Sequence, residues 1–280
     1  MFEVKEDTML FKSIFSQCKI IYKQKLFLIT VLIMYVFIII NYARNVKEFY
    51  GADISAIIHP MKMTLLNTYG KIGFYFMQYV PLILVLPASF SFMNDKSNDT
   101  KIYLSARFGV KNYYYGKLIA VFTMTFLAFF IPFIFEYVLN IITFPIQAVG
   151  DRSNLTTFDS SYQEMQKQYL FSELWKFNSY LYFFVFIAMF SFVMASFSTF
   201  VVSITMFPIV KFKVLAFLPA YCIFTFSNAS GAILGIRMNY QDYLMAFDSG
   251  EKITSLYVII SLSLLLISAV IVRCRGTEEI

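Results

Sequence analysis

The sequence is short of the residues on which most catalytic and metal chemistry depends. Its 280 residues include one histidine, His59, and three cysteines, Cys18, Cys222 and Cys274. A lone histidine with no second His or Cys nearby offers no zinc site of recognisable spacing. Cysteines this far apart, none in a segment expected outside the cell, give no disulfide framework. No GxxxxGK[ST] loop is present to hold nucleotide phosphates, so the chain is not expected to hydrolyse nucleotide by itself. There is no GxSxG elbow, and no pair of acids falls within the apolar runs, as an intramembrane protease would need. Charge is scarce too: at 14% charged residues, a soluble globule of this size could not cover its surface. A cleavable signal peptide is not expected, because the first apolar run begins only after Lys25 and no small-residue cleavage site follows it.

What is abundant is apolar and aromatic. Hydrophobic residues make up 59% of the chain, with 34 Phe and 20 Tyr, and the mean hydropathy is +0.67. Many tyrosines fall near the expected membrane boundaries, which suit an amphipathic ring. Six runs have the length that a bilayer core demands of a helix: 26–42, 72–92, 118–142, 180–207, 214–234 and 255–272. The expected fold is therefore all-α, a polytopic membrane protein forming a single transmembrane domain over 1–280, without internal repeats. Pro81 and Pro87 in the second run and Pro132 in the third predict kinks rather than breaks.

Orientation follows from Lys and Arg. With the N-terminus inside, fourteen of the 23 basic residues fall on the cytoplasmic side against seven acids, while the outer loops carry nine of each. The positive-inside rule then predicts that both termini are cytoplasmic. The two longest outer loops become 43–71 and 144–179.

Before the first run, residues 9–25 predict an amphipathic helix. Leu10, Ile14, Cys18 and Ile21 recur at helical spacing, with Phe11, Phe15 and Tyr22 widening the stripe. Lys12, Ser13, Ser16, Gln17, Lys19, Lys23 and Gln24 fill the opposite side. Such a helix either lies along the inner membrane surface with its lysines near lipid phosphates or packs on its own protein. Within the runs, Glu136 is the single ionisable acid or base. It is a candidate for a substrate path, or it reaches the outer interface or an outer-loop lysine such as Lys71. In the fourth run Ser191, Ala195, Thr199 and Ser203 recur every four residues, a face on which another helix can pack closely.

The most informative segment is the inner loop between the second and third runs. Asp95 follows the second run, Asp99-Thr100 comes next, then Ile102, Tyr103, Leu104, Arg107 and Phe108, and Gly116-Lys117 opens the third run. This loop resembles the first cytoplasmic loop of type-2 ATP-binding-cassette (ABC) exporter permeases. In those, an acid after the second helix precedes Gly-Thr, a short Leu-rich helix and Arg, and a final Gly-Lys. Phe108 stands where that family usually has Pro, and Asp99 where it has Gly.

The resemblance implies a cytoplasmic coupling helix, with Asp95, Asp99, Thr100, Ile102, Tyr103, Leu104, Arg107, Phe108 and Lys117 as its ATPase-coupling residues. It implies a multi-pass subunit of the bacterial cytoplasmic membrane that acts as a homo- or heterodimer and exports a hydrophobic or amphipathic substrate such as a peptide, lantibiotic, lipid or drug. ATP and Mg²⁺ would sit on a separate ABC ATPase subunit, with no cofactor in this chain and no nucleic-acid partner. It further implies that 236–253 folds back into the membrane, Gly231 and Gly235 permitting the turn, although that Gly-x-x-x-Gly also suits close helix packing. An ion-gradient-driven carrier or channel is the alternative, with Glu136 as its one buried charge.

Overall fold

The structure is a computed structural model that describes residues 2–54, 57–67, 71–146, 170–207, 210, 212–234, 243–246 and 254–278. It is all-helical: among the described residues there is no strand. The described residues hold ten α-helices in order: α1 (Phe2–Tyr22), α2 (Lys25–Glu48), α3 (Lys71–Ile83), α4 (Ser91–Ser97), α5 (Thr100–Phe108), α6 (Val110–Thr143), α7 (Ser172–Phe177), α8 (Ser179–Thr205), α9 (Phe217–Leu234) and α10 (Thr254–Glu278).

Three of them, α2, α6 and α8, are long and apolar enough to cross a membrane. In α2, Phe27, Thr30, Met34, Ile38 and Asn41 form one buried stripe, while Leu28, Ile29, Leu32, Val36, Ile39 and Ile40 are exposed on the remaining sides. A helix that is apolar all round yet buried on one stripe requires an apolar solvent on the others. Helix α6 has 34 residues, so it is about 51 Å long, against a hydrocarbon core of about 30 Å. It is the axis of the bundle, packing on α1 and α2, on α8 and on α10.

Two large apolar clusters divide most of the core, beside a small one of Ile57, Met63 and Phe144. The larger is dominated by edge-to-face phenylalanines, with Phe133 and Phe190 at 5.3 Å and Phe76 and Phe133 at 5.9 Å between ring centroids. The second lies around the start of α6, where Ile21, Leu104, Phe108, Tyr113 and Tyr114 meet Val202, Met206 and Val272 from the ends of α8 and α10. Beside these runs a polar seam of Ser89, Ser198 and Thr125, linked hydroxyl to hydroxyl at 2.9 and 3.0 Å, joins α6, α8 and the turns before α4.

The expected run 72–92 is not one continuous helix, which corrects the expectation of kinks. Helix α3 ends at Ile83, and successive turns occupy 84–90. Pro81 and Pro87 both lack an N–H, and Pro87 disfavours helical geometry at Leu86. The chain instead closes tight turns, with the Val85 and Leu86 amides donating to Leu82 and Ile83. The expected fold-back at 236–253 lies largely outside the described residues. Within it, Tyr243 to Ala246 are buried, the Ala246 amide donates to the Leu66 carbonyl at 2.9 Å, and the Tyr182 hydroxyl donates to the Ala246 carbonyl at 3.0 Å.

Candidate functional site

The inner loop is built as a small helix mounted on a buried frame. Asp99, the residue before α5, has φ 55° and ψ 7°. That is the left-handed region, which glycine enters freely and which aspartate tolerates better than most residues. Asp99 thus occupies the conformation that glycine favours, at the position where the resembled loop carries glycine. Gly109, with φ 85° and ψ 147°, ends α5 and begins α6, a backbone region open to essentially no other residue.

The frame is an ion pair. The Lys117 ammonium lies 2.6 Å from the Asp95 carboxylate, with the two side chains 0% and 3% exposed. The same carboxylate oxygen accepts the Tyr113 hydroxyl at 2.8 Å. Asp95 is on α4 and Lys117 on α6, so the pair fastens together the two helices that flank α5. Leu104 and Phe108 drop from α5 into the cluster around the start of α6. Each such burial stabilises by about 1.5–3 kcal/mol.

The nine loop residues therefore separate. Asp95, Leu104, Phe108 and Lys117 are buried. Asp99 and Arg107 are exposed, and Thr100 is half-buried. Ile102 and Tyr103 stand out at 68% and 66% exposure.

Helix α1 braces this frame by a face that the sequence pattern assigned to solvent. Ser13 and Gln17 are buried: the Ser13 hydroxyl donates to the Asn112 carbonyl and the Gln17 amide to the Tyr113 carbonyl, both at 3.0 Å. The reason is Gly116. A Cβ there would stand 2.5 Å from the Ser13 hydroxyl oxygen and 3.0 Å from the Gln17 amide nitrogen, so the two helices meet only because it is absent. In exchange, Phe11, Phe15 and Tyr22 face outward. Cys18 is half-buried near Lys117, and burial pushes its thiol pKa up while the ammonium pulls the other way.

At the far end of α6, Glu136 is buried and serves as a staple for the segment after α2. One of its carboxylate oxygens accepts the Leu65 amide at 2.7 Å and the Asn41 side chain at 3.0 Å. Asn41 and Asn45 also donate to the Met63 carbonyl, at 2.9 and 2.7 Å. Lys71, the suggested lysine partner, is exposed at the start of α3. His59 caps the short turn Pro60–Met63: its Nδ1 accepts the Met61 amide, and its Nε2 lies 3.1 Å from the Ser179 hydroxyl. Among the described residues no group of His, Cys, Asp and Glu could hold a metal.

Ser191, Ala195, Thr199 and Ser203 are all buried along α8, which packs against α6 and α10. Sequence reasoning missed the Ser13–Gln17–Gly116 junction and the Ser89–Ser198–Thr125 seam; the one available signal was Gly116 in the first turns of an otherwise bulky helix. Comparisons with family profiles, characterised proteins and solved structures give no match. The functional reading rests on the residues themselves.

Proposed function

We propose that this chain is the membrane-spanning permease subunit of a type-2 ABC exporter, with six spans and both termini in the cytoplasm. It works as a homo- or heterodimer in a bacterial cytoplasmic membrane. ATP and Mg²⁺ are bound by a separate ATPase subunit, and the cargo is hydrophobic or amphipathic. The observation that carries this reading is α5 itself: a nine-residue helix whose inner side is fixed by Leu104, Phe108 and the Asp95–Lys117 pair, and whose outer side presents Ile102 and Tyr103. Two apolar side chains held rigidly in the open suit docking on a partner, because a preordered anchor loses little entropy on binding. Closure of the ATPase pair would push on α5, and the frame would pass that movement to α6.

The test uses Ile102→Ala with Tyr103→Ala, which leaves the buried anchors in place. The double variant is expected to insert and fold normally, while ATPase co-purification and substrate-stimulated ATP hydrolysis fall, a docked aromatic contributing about 2 kcal/mol. Unchanged values for both would overturn the reading. So would transport by the chain alone on an imposed ion gradient without nucleotide.

A further inference from the structure

Between α1 and the end of α5 the surface opens into a groove of about 680 Å³. Its walls include Phe11, Lys12, Phe15 and Lys19 from α1 and Arg107 and Phe108 from α5, and among the described residues no acidic side chain lines it. The three cations are exposed at its rim, Phe11 and Phe15 are 74% and 70% exposed, and the Arg107 guanidinium lies 5.3 Å from the centre of the Phe108 ring. The groove is not a chance opening between loose elements, since Ser13 and Gln17 pin the opposite face of α1 to α6.

Three positive charges that line one groove, with no acidic side chain beside them among the described residues, attract an anion. Two exposed phenylalanines in the same wall gain nothing from a purely hydrophilic anion, and they suit a ligand with an apolar portion beside its negative charge. The groove also belongs to the helix that immediately precedes α2, whose exposed apolar residues begin at Leu28, which suits a ligand drawn from a membrane surface. We propose that it binds the headgroup of an anionic phospholipid: Lys12, Lys19 and Arg107 hold the phosphate, and Phe11 and Phe15 lie against the upper acyl chains. A volume of about 680 Å³ is in the range of small-molecule sites. This inference needs the chain to sit in a membrane but not to be an exporter.

The experiment is native mass spectrometry of the purified full-length chain in detergent, offered phosphatidylglycerol and phosphatidylcholine in equal amounts. The wild type is expected to retain phosphatidylglycerol preferentially, by about fivefold or more for each engaged cation. Lys12→Gln with Arg107→Gln, both side chains being exposed, should cut that preference by about 25-fold, leaving no more than the share of Lys19. Lys96→Gln with Lys213→Gln, an equal loss of charge at exposed sites outside the groove, should leave the preference unchanged.

The proposal is overturned if the wild type shows no preference, or if the control pair weakens it as much as the groove pair. It is also overturned if millimolar inorganic phosphate displaces the lipid, which would make this a free-phosphate site. Loss of a co-purifying protein from the groove variant with lipid retention unaltered would assign the groove to that protein instead. None of these readouts involves nucleotide, so failure here is distinguishable from failure of the exporter reading.

Discussion

At the scale of single residues, both side chains of the Asp95–Lys117 pair are out of water, so neither charge has solvent to replace the other. Removing one partner from such a pair is strongly destabilising, about 3–5 kcal/mol, through the charge left behind. Asp95→Asn and Lys117→Met should each lower the thermal unfolding temperature in detergent sharply, and the double variant should recover part of the loss; additive losses would show that the pair is not coupled. Asp99 makes a milder case. Its left-handed backbone favours glycine, so Asp99→Gly should be neutral or stabilising by up to about 1 kcal/mol, whereas Asp99→Val should destabilise. Glu136 separates two roles by substitution. Gln keeps an oxygen for the Leu65 amide and the Asn41 side chain, while Ala strands two buried donors at about 1–3 kcal/mol each. On the proposed exporter function, normal transport by Glu136→Gln with poor stability of Glu136→Ala would mark a staple, and loss of transport by a stable Glu136→Gln would mark a substrate path. The loop motif made Asp95 and Lys117 legible as functional candidates, but their pairing was not, because it depends on α4 and α6 converging around α5.

At the scale of elements, α1 shows how periodicity can be read correctly and a face misassigned. The helical spacing was plain from Leu10, Ile14, Cys18 and Ile21. Ser13 and Gln17, grouped with the lysines, turn inward because each finds a backbone carbonyl beside Gly116. Hydropathy alone cannot report that a buried polar side chain has a partner. Gly116→Val should therefore push α1 off α6 and raise its sensitivity to protease in solubilised membranes. Cys18 gives a second readout of that movement. Burial raises its thiol pKa, so less thiolate is present at a given pH and maleimide labelling in opened membranes should be slow, still climbing above the usual thiol range of about 8.5. In Gly116→Val the labelling should accelerate; an unchanged rate would mean that α1 stays seated. The break between α3 and α4 was misjudged for a related reason, since two prolines in one run remove donors that tight turns can do without.

At the scale of the whole molecule, the apolar girdle on α2, α6 and α8 was the most legible feature, because length and hydropathy are additive along a sequence. The ends were less so. Helix α2 continues to Glu48 rather than stopping at Tyr42, since Asn41 and Asn45 spend their amides on the Met63 carbonyl, and α6 begins at Val110 rather than Leu118, two turns outside the apolar run. Exposed Cys274 tests the proposed orientation: an impermeant thiol reagent should reach it in broken cells but not in intact ones, and labelling in intact cells would reverse the topology. The continuity of α6 carries a further consequence. It is clamped near its start by Asp95 and α1 and near its end by Asn41 and the Leu65 amide, with no interruption between the clamps. The two clamps are thus locked in rotational phase. Inserting a single alanine between Leu118 and Phe130 advances one end by about 100° relative to the other, so the helix can satisfy one clamp or the other but not both. Such an insertion should abolish recovery of monodisperse protein, although alanine substitutions at exposed Ile119 or Ile131 are tolerated. Seven added residues restore the rotation to within about 20° but lengthen the rod by about 10 Å. The register of α6, more than the identity of any residue facing lipid, is what the rest of the chain is cut to fit.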